Sequence, residues 1–361
     1  MILFSLKTLS IPVLLLTAIT ISQAQERDIR ATYQSAFIEL ESMLSGTNVI
    51  SFKKAVLITE QAYLNNQIDT IEFQSAIEKL SEAISYFNTT NKLLYDYKDK
   101  ESVSKWASIF KVMTDTTIRV KDSVIVAYLP FIYDFDDFFG EKDWSKMFVA
   151  KLLQSGTGNC HSLPYLYKIL AEELSTTASL ALAPNHLYIK HKSLKNGMYN
   201  TELTSASFPI DAWIMASGYI HLTAIQNGVY MKALNDKESI ALCLIDLAEG
   251  FKRKTDNSDP DFIIKCCDKA LEYFPNYVNA LILKAETIKS QHDRLAAENP
   301  KPTNEIKARI QGLFNEMQDL YVTVHKLGYR QMPKDMYMKW LVELKTEKEK
   351  YQNKNVSSYD K

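Results

Sequence analysis

The chain has 361 residues, 46% of them hydrophobic and 24% charged, with a net charge of −1. That length accommodates two or three domains, and the near-neutral balance gives no electrostatic reason to expect nucleic acid. With only 10 glycines and 10 prolines among frequent Leu, Lys, Glu and Ala, helix is favoured over strand.

The first segment, residues 1–24, reads as an export signal. Lys7 supplies the positive charge, Ile11 to Ile21 a short apolar core broken by Pro12, and Ser22-Gln23-Ala24 the small residues of a cleavage site. An uncleaved anchor is the alternative, and the short core argues against it. No later stretch is long and apolar enough to cross a membrane. The mature chain is therefore expected to be exported, periplasmic or extracellular, without an integral membrane segment.

Residues 25–125 are expected to form a helical region. Tyr33, Phe37, Leu40 and Leu44 share one helix face. Phe52, Ala55, Val56, Ile58 and Tyr63 make a second stripe, and Ile71, Phe73, Ile77, Leu80, Ala83 and Ile84 a third. Gly46-Thr47-Asn48 and Asn65-Asn66 separate them. A further helix is expected over 91–125, carrying Trp106, Ile109, Phe110 and Met113. Nothing in this region suggests chemistry.

Residues 126–235 differ. Tyr128 to Gly140 is aromatic and acidic, and reads as an ordered loop walling a site and leading to a helix near Trp144. Its Asp134, Asp136 and Asp137 lack the loop length and glycine placement of a calcium loop. A helix is expected over 162–175, then short strands at 178–183, 186–190 and Tyr199 to Leu203, with a turn at Asn196-Gly197. Helix followed by antiparallel sheet is an α+β arrangement.

Between those elements lie the residues that carry chemistry. Cys160 follows Gly156-Thr157-Gly158-Asn159 and opens the helix. A helix start lowers a thiol pKa, and the thiolate is the nucleophile. His186 begins the next strand pair and can hold the thiol proton. Glu202, on the neighbouring strand, can accept the second imidazole N–H and fix the tautomer. His161 and His191 are rival bases, and Asn200 and Asp211 rival partners for the imidazole. The Cys160 backbone N–H is the natural oxyanion donor; Gln154, six residues before it, has a spacing similar to the glutamine of papain-like cysteine proteases, a resemblance that implies a second donor, with a solvated helix-end glutamine as the alternative. Cys243, Cys266 and Cys267 read as packing residues, and no metal or cofactor motif is present.

This set, Gly-x-Cys at a helix start, then His, then an acid on the following strand, resembles the transglutaminase-like superfamily, which shares its fold with papain-like cysteine proteases. Phe148 to Ile210 covers the resemblance. The family acid is usually Asp followed by Pro-Thr; here the run is Glu202-Leu203-Thr204. The resemblance implies Cys160 as nucleophile, His186 as base and Glu202 as the orienting acid. It also implies cysteine-dependent hydrolysis or acyl transfer at amide bonds of peptide or protein substrates.

Residues 236–350 return to helix. Cys267 to Leu281 is similar to the junction between two tetratricopeptide repeats, with Ala270, Pro275, Ala280 and Ala285 where the repeat places small residues and its helix-ending proline. That similarity implies antiparallel helix pairs able to bind a protein partner. Two more helices are expected around Leu327-Gly328-Tyr329, and residues 351–361 read as a disordered tail. The alternative to an enzyme is thus an interaction scaffold presented by these helices.

Overall fold

The structure, a computed structural model, describes residues 11–121, 124–255 and 259–356. The chain is mainly helical with small sheets, an α+β architecture. The expected export signal lies partly outside the described residues; from Ile11 the backbone belongs to α1, Ile11–Ser45. Among the described residues no helix is long and apolar enough to cross a membrane.

Two more helices complete the N-terminal layer, α2 (Phe52–Tyr63) and α3 (Thr70–Thr90). The three apolar stripes face inward, with Phe37, Leu40, Ala55, Ile77 and Ile84 buried, whereas Ile71 stands exposed in the first turn of α3. Then α4 (Lys100–Thr114) ends earlier than its periodicity suggests. Its expected continuation is instead a hairpin, β1 (Thr117–Lys121) against β2 (Val124–Tyr128), rich in the β-branched residues that prefer a pleated backbone.

The central region begins with β3 (Ile132–Tyr133) and a 3-10 turn at Trp144–Met147. It continues through α5 (Val149–Ser155), β4 (Thr157–Gly158) and α6 (Ser162–Glu173). An antiparallel sheet follows, ordered β5 (Ser179–Ala183), β6 (His186–Ser193), β7 (Gly197–Thr201). Two short helices, α7 (Asp211–Ser217) and α8 (Leu222–Gln226), lead out of it.

The two layers are locked by carboxylates at helix starts, where backbone N–H groups lack intrahelical partners. Glu60 of α2 accepts from Val149 N at 2.6 Å and Ala150 N at 2.9 Å, the first residues of α5. In return Glu172 of α6 accepts from Phe52 N and Lys53 N, which open α2. The N-terminal helices therefore share one continuous apolar core with the sheet and the later helices.

The remainder comprises α9 (Asp236–Thr255), α10 (Pro260–Tyr273), α11 (Val278–Glu298) and α12 (Asn304–Lys326), each packed on the next. Asn235 and Glu238 form a reciprocal capping box at the start of α9. Cys243, Cys266, Ala270, Ala280 and Ala285 are wholly buried, so small residues line the seams. Ala280→Arg is expected to lower stability by about 2–4 kcal/mol, because a long cation has no room at a close helix contact. Thermal unfolding checks this, and an unchanged midpoint would contradict the seam.

The chain then leaves the array. α13 (Lys334–Thr346) does not stack on α12 as a further repeat helix; it crosses to the central region and buries Tyr337, Trp340 and Leu341. The short α14 (Lys348–Tyr351) follows. The expected disordered tail is docked over residues 351–356: Ile210 N donates to Tyr351 O and Asn353 N to Phe208 O. Its last five residues, 357–361, lie outside the described ones.

Candidate active site

Three elements converge on Cys160. The turn before α6 is set by Asn159, whose Oδ1 accepts from His161 N at 3.0 Å and Ser162 N at 3.1 Å. Ser162 Oγ answers by accepting from Asn159 N at 3.0 Å. With Leu163 N bonded to Asn159 O, helical hydrogen bonding begins at Asn159. Cys160 is thus the first residue inside the turn, at the positive end of α6. The Cys160 N–H enters no hydrogen bond among the described residues.

Gly156, in the left-handed region at φ 70°, ends α5. Gly158 serves close approach: a Cβ there would meet Ser162 Oγ at 2.6 Å and Leu152 Cδ1 at 2.8 Å. Gly158→Ala is expected to cost about 1–3 kcal/mol by pushing apart the cap that sets Cys160. The thermal midpoint should fall and thiol labelling should slow together.

His186 opens β6 and Glu202 follows β7, which is paired to β6 in antiparallel register. Their side chains are 0% and 3% exposed, and His186 Nε2 lies 2.6 Å from Glu202 Oε2. Glu202 Oε1 accepts from Thr204 N at 2.8 Å, which fixes the carboxylate. The other imidazole nitrogen, Nδ1, lies 3.3 Å from the Tyr337 hydroxyl, which donates to the Cys160 sulfur at 3.2 Å, and the thiol donates to Asn185 O at 3.6 Å. The structure therefore brings Cys160, His186 and Glu202 together, with the Tyr337 hydroxyl between the sulfur and the imidazole.

The electrostatics follow. Burial alone would raise the Cys160 thiol, but the imidazole and the Tyr337 hydroxyl bring it below its ordinary value. Burial would depress His186; the Glu202 carboxylate and the sulfur push it up to about 10. Both directions favour a thiolate–imidazolium pair. Burial pushes Cys243 and Cys266 far up, and Cys267 up as well, and all four cysteines are free.

The rivals lie elsewhere. His161 Nδ1 sits 2.9 Å from Met147 O, and its Nε2 3.2 Å from both Asp246 oxygens; Asp246 raises it, against burial, to about 9. His191 points to the opposite sheet face, bonded to Tyr167 and stacked on Trp106, and burial drives it down to about 3. Asn200 and Asp211 bond each other beside Lys190. Gln154 is not brought to the sulfur; it is exposed near the end of α5 and borders a depression against α3. Asp134 and Asp137 accept backbone N–H groups of their own loop, so they act as turn caps.

Two residues at the site were not singled out from sequence. Tyr337 of α13 donates its hydroxyl to Cys160 Sγ at 3.2 Å and lies 3.3 Å from His186 Nδ1, between nucleophile and base. Phe139 stacks on it, and Trp340 meets His186 edge-on. Asn185 Nδ2 to Met332 O and the Lys334–Glu141 ion pair hold the start of this covering segment. Tyr133 reaches the site from β3. Tyr133 belongs to the Tyr128 to Gly140 run expected to wall a site, whereas the only signal for Tyr337 is an aromatic within a helical pattern, which carries no address.

On the other side, a cavity of about 420 Å³ reaches Cys160 and His186. Its far wall is made by α9 and α11, with Leu242, Ile245, Val278 and Leu283 within and exposed Arg253 and Glu286 at its rim. Such a volume suits a small ligand or one end of a larger one.

The fold and site define a mainly helical α+β protein with a buried Cys–His–Glu set. Comparison with known proteins finds no matching family model, curated protein or solved structure.

Proposed function

We propose that this chain is an exported cysteine hydrolase or acyltransferase acting on amide bonds through a Cys160 acyl-enzyme, built on a transglutaminase-like core joined to tetratricopeptide-like repeats. The observation that carries the reading is the buried His186–Glu202 pair beside the Cys160 thiol, which the Tyr337 hydroxyl links to the imidazole. Glu202 holds Nε2–H, leaving the opposite nitrogen to take and return the thiol proton. The thiolate attacks the carbonyl carbon, the imidazolium protonates the leaving amine, and water or an amine resolves the thioester. The cavity between the central region and α9/α11 supplies the approach, making the helical array one wall of the substrate site.

Cys160→Ala and His186→Ala are expected to abolish labelling by an amide- or peptide-based cysteine probe while the fold persists. Glu202→Gln should reduce it less, since that residue orients rather than reacts. Labelling that survives Cys160→Ala would sink the mechanism. Cell fractionation of the tagged full chain tests export.

A second reading is a non-enzymatic scaffold that binds a protein partner through α9–α12. It is favoured by Tyr337 standing between thiol and imidazole. Probe labelling of Cys160 in the intact chain separates the two, since a scaffold has no need of a reactive thiol.

A further inference from the structure

His161, the residue after the proposed nucleophile, faces a hydrogen-bond requirement that one protonation state meets. Its Nδ1 lies 2.9 Å from Met147 O, a backbone carbonyl that can only accept. Its Nε2 lies 3.2 Å from each oxygen of Asp246, in the middle of α9. A neutral imidazole has a single N–H and would turn a lone pair on one of these acceptors. The doubly protonated ring satisfies both. The carboxylate is held in turn. Tyr165 of α6, four residues after His161, donates its hydroxyl to Asp246 Oδ2 at 2.8 Å, and the two rings lie 4.0 Å apart. Other titratable groups face the imidazole from the elements around it. Glu60 of α2 is engaged by Val149 N and Ala150 N, and Cys243 of α9 has its thiol pushed far up by burial. On the cavity side Glu249 and Arg253 of α9 pair with each other, and Tyr277 precedes α11. Among the described residues, Asp246 is the one charged group bonded to the ring.

A cation one residue from the sulfur favours the thiolate, as the His186 imidazolium does. Burial alone would strip the His161 proton, so the cation persists only while the carboxylate of α9 is in place. The inference rests on the reading of Cys160 as nucleophile. We propose that Asp246, supplied by the first helix of the array, is a positioning residue for Cys160: it keeps His161 doubly protonated, and the charge so held beside the sulfur favours the thiolate. Asp246 and His161 exchange no proton with substrate; His186 alone takes and returns the thiol proton. The array then contributes to the state of the nucleophile as well as to one wall of the cavity.

The test follows alkylation of Cys160 by iodoacetamide in the full chain as a function of pH, read by peptide mapping. In Asp246→Asn the carboxamide keeps the shape and can donate to Nε2, so His161 stays in place as a neutral ring. The midpoint of the rate profile is expected to rise by about half a pH unit or more, a loss of about threefold or more in rate below it. The sign separates the alternatives. Were Asp246 only a nearby anion, with His161 already neutral, its removal would lower the midpoint. A purely structural clamp would change the limiting rate at high pH and leave the midpoint unmoved. His161→Gln should raise the midpoint at least as far, and adding Asp246→Asn to it should raise it no further, because the cation is already gone. Should these variants fail to fold, nitrogen NMR of the histidine-labelled wild type reads the ring directly, and both His161 nitrogens should carry protons near neutral pH. A neutral His161, or a midpoint that falls or stays in Asp246→Asn, would overturn the proposal. A wild-type Cys160 inert at every pH would remove the nucleophile reading and this role with it, whereas a reactive thiol with an unmoved midpoint removes this role alone.

Discussion

Brief iodoacetamide treatment near neutral pH is expected to alkylate Cys160 on the order of 10²-fold faster than Cys243, Cys266 or Cys267. The three others are buried in helix seams with their thiols pushed up, two of them wholly out of reach of the ionised form near neutrality. Cys160 has its thiol held down by His186, and the cavity gives a reagent a path. The pH profile is diagnostic. An ordinary thiol loses thiolate about tenfold per unit as pH falls below its pKa near 8.5. With a lowered pKa, Cys160 should begin to lose its rate only at a lower pH than an ordinary thiol does. His186→Ala removes the imidazole that lowers the thiol, so the ordinary slope should return. Peptide mapping by mass spectrometry reads both, and faster labelling of any other thiol would contradict the assignment.

The second large effect concerns Glu202. In a Cys160→Ala background, Glu202→Gln is expected to cost about 3 kcal/mol, because it strands a buried imidazole that was paired at 2.6 Å. Its pH dependence should change sign. With Glu202 present, the His186 pKa is raised in the folded state. Its contribution is then full below the unfolded pKa of about 6.5 and is lost as pH rises through the folded value. Without Glu202, burial depresses His186, the unfolded chain binds the extra proton, and stability falls as pH drops below about 6.5. Denaturant melts at pH 5.5 and 8.5 distinguish these slopes. Parallel slopes in both proteins would mean that Glu202 does not hold the imidazolium.

The parts of the site legible from sequence are those fixed by local physics. The glycine-rich turn Gly156-Thr157-Gly158-Asn159 before an apolar helix marks Cys160 as a helix start, which the Asn159–Ser162 cap realises. Strict alternation along β6 puts His186 and His191 on opposite faces, and antiparallel pairing brings the chain after β7 back beside His186. What could not be read depends on distance in the chain. Tyr337 lies 177 residues from Cys160, and an amphipathic helix pattern says that it is buried, not against what. Tyr133 is set by a two-residue parallel bridge, too short to leave a pattern. Gln154 was chosen for its spacing alone, but α5 ends at Gly156 and leaves it in solvent. The 91–125 segment reads from its sequence as one helix, but the β-branched run of Thr117–Lys121 pairs with Val124–Tyr128 as a hairpin. The final residues are polar enough to read as a free tail, yet backbone pairing with Phe208 and Ile210 needs no apolar side chains.

The covering helix carries a consequence for the order in which the molecule comes into being. Synthesis runs from the N-terminus and domains fold as they emerge. Cys160, His186 and Glu202 all precede α9, whereas Tyr337 and Trp340 come within the last 25 residues of the chain. Every nascent chain therefore passes through a length at which Cys160, His186 and Glu202 have been made and the helix that covers them has not. A ribosome-stalled or prematurely terminated product carries the uncovered thiol, and the finished protein the covered one.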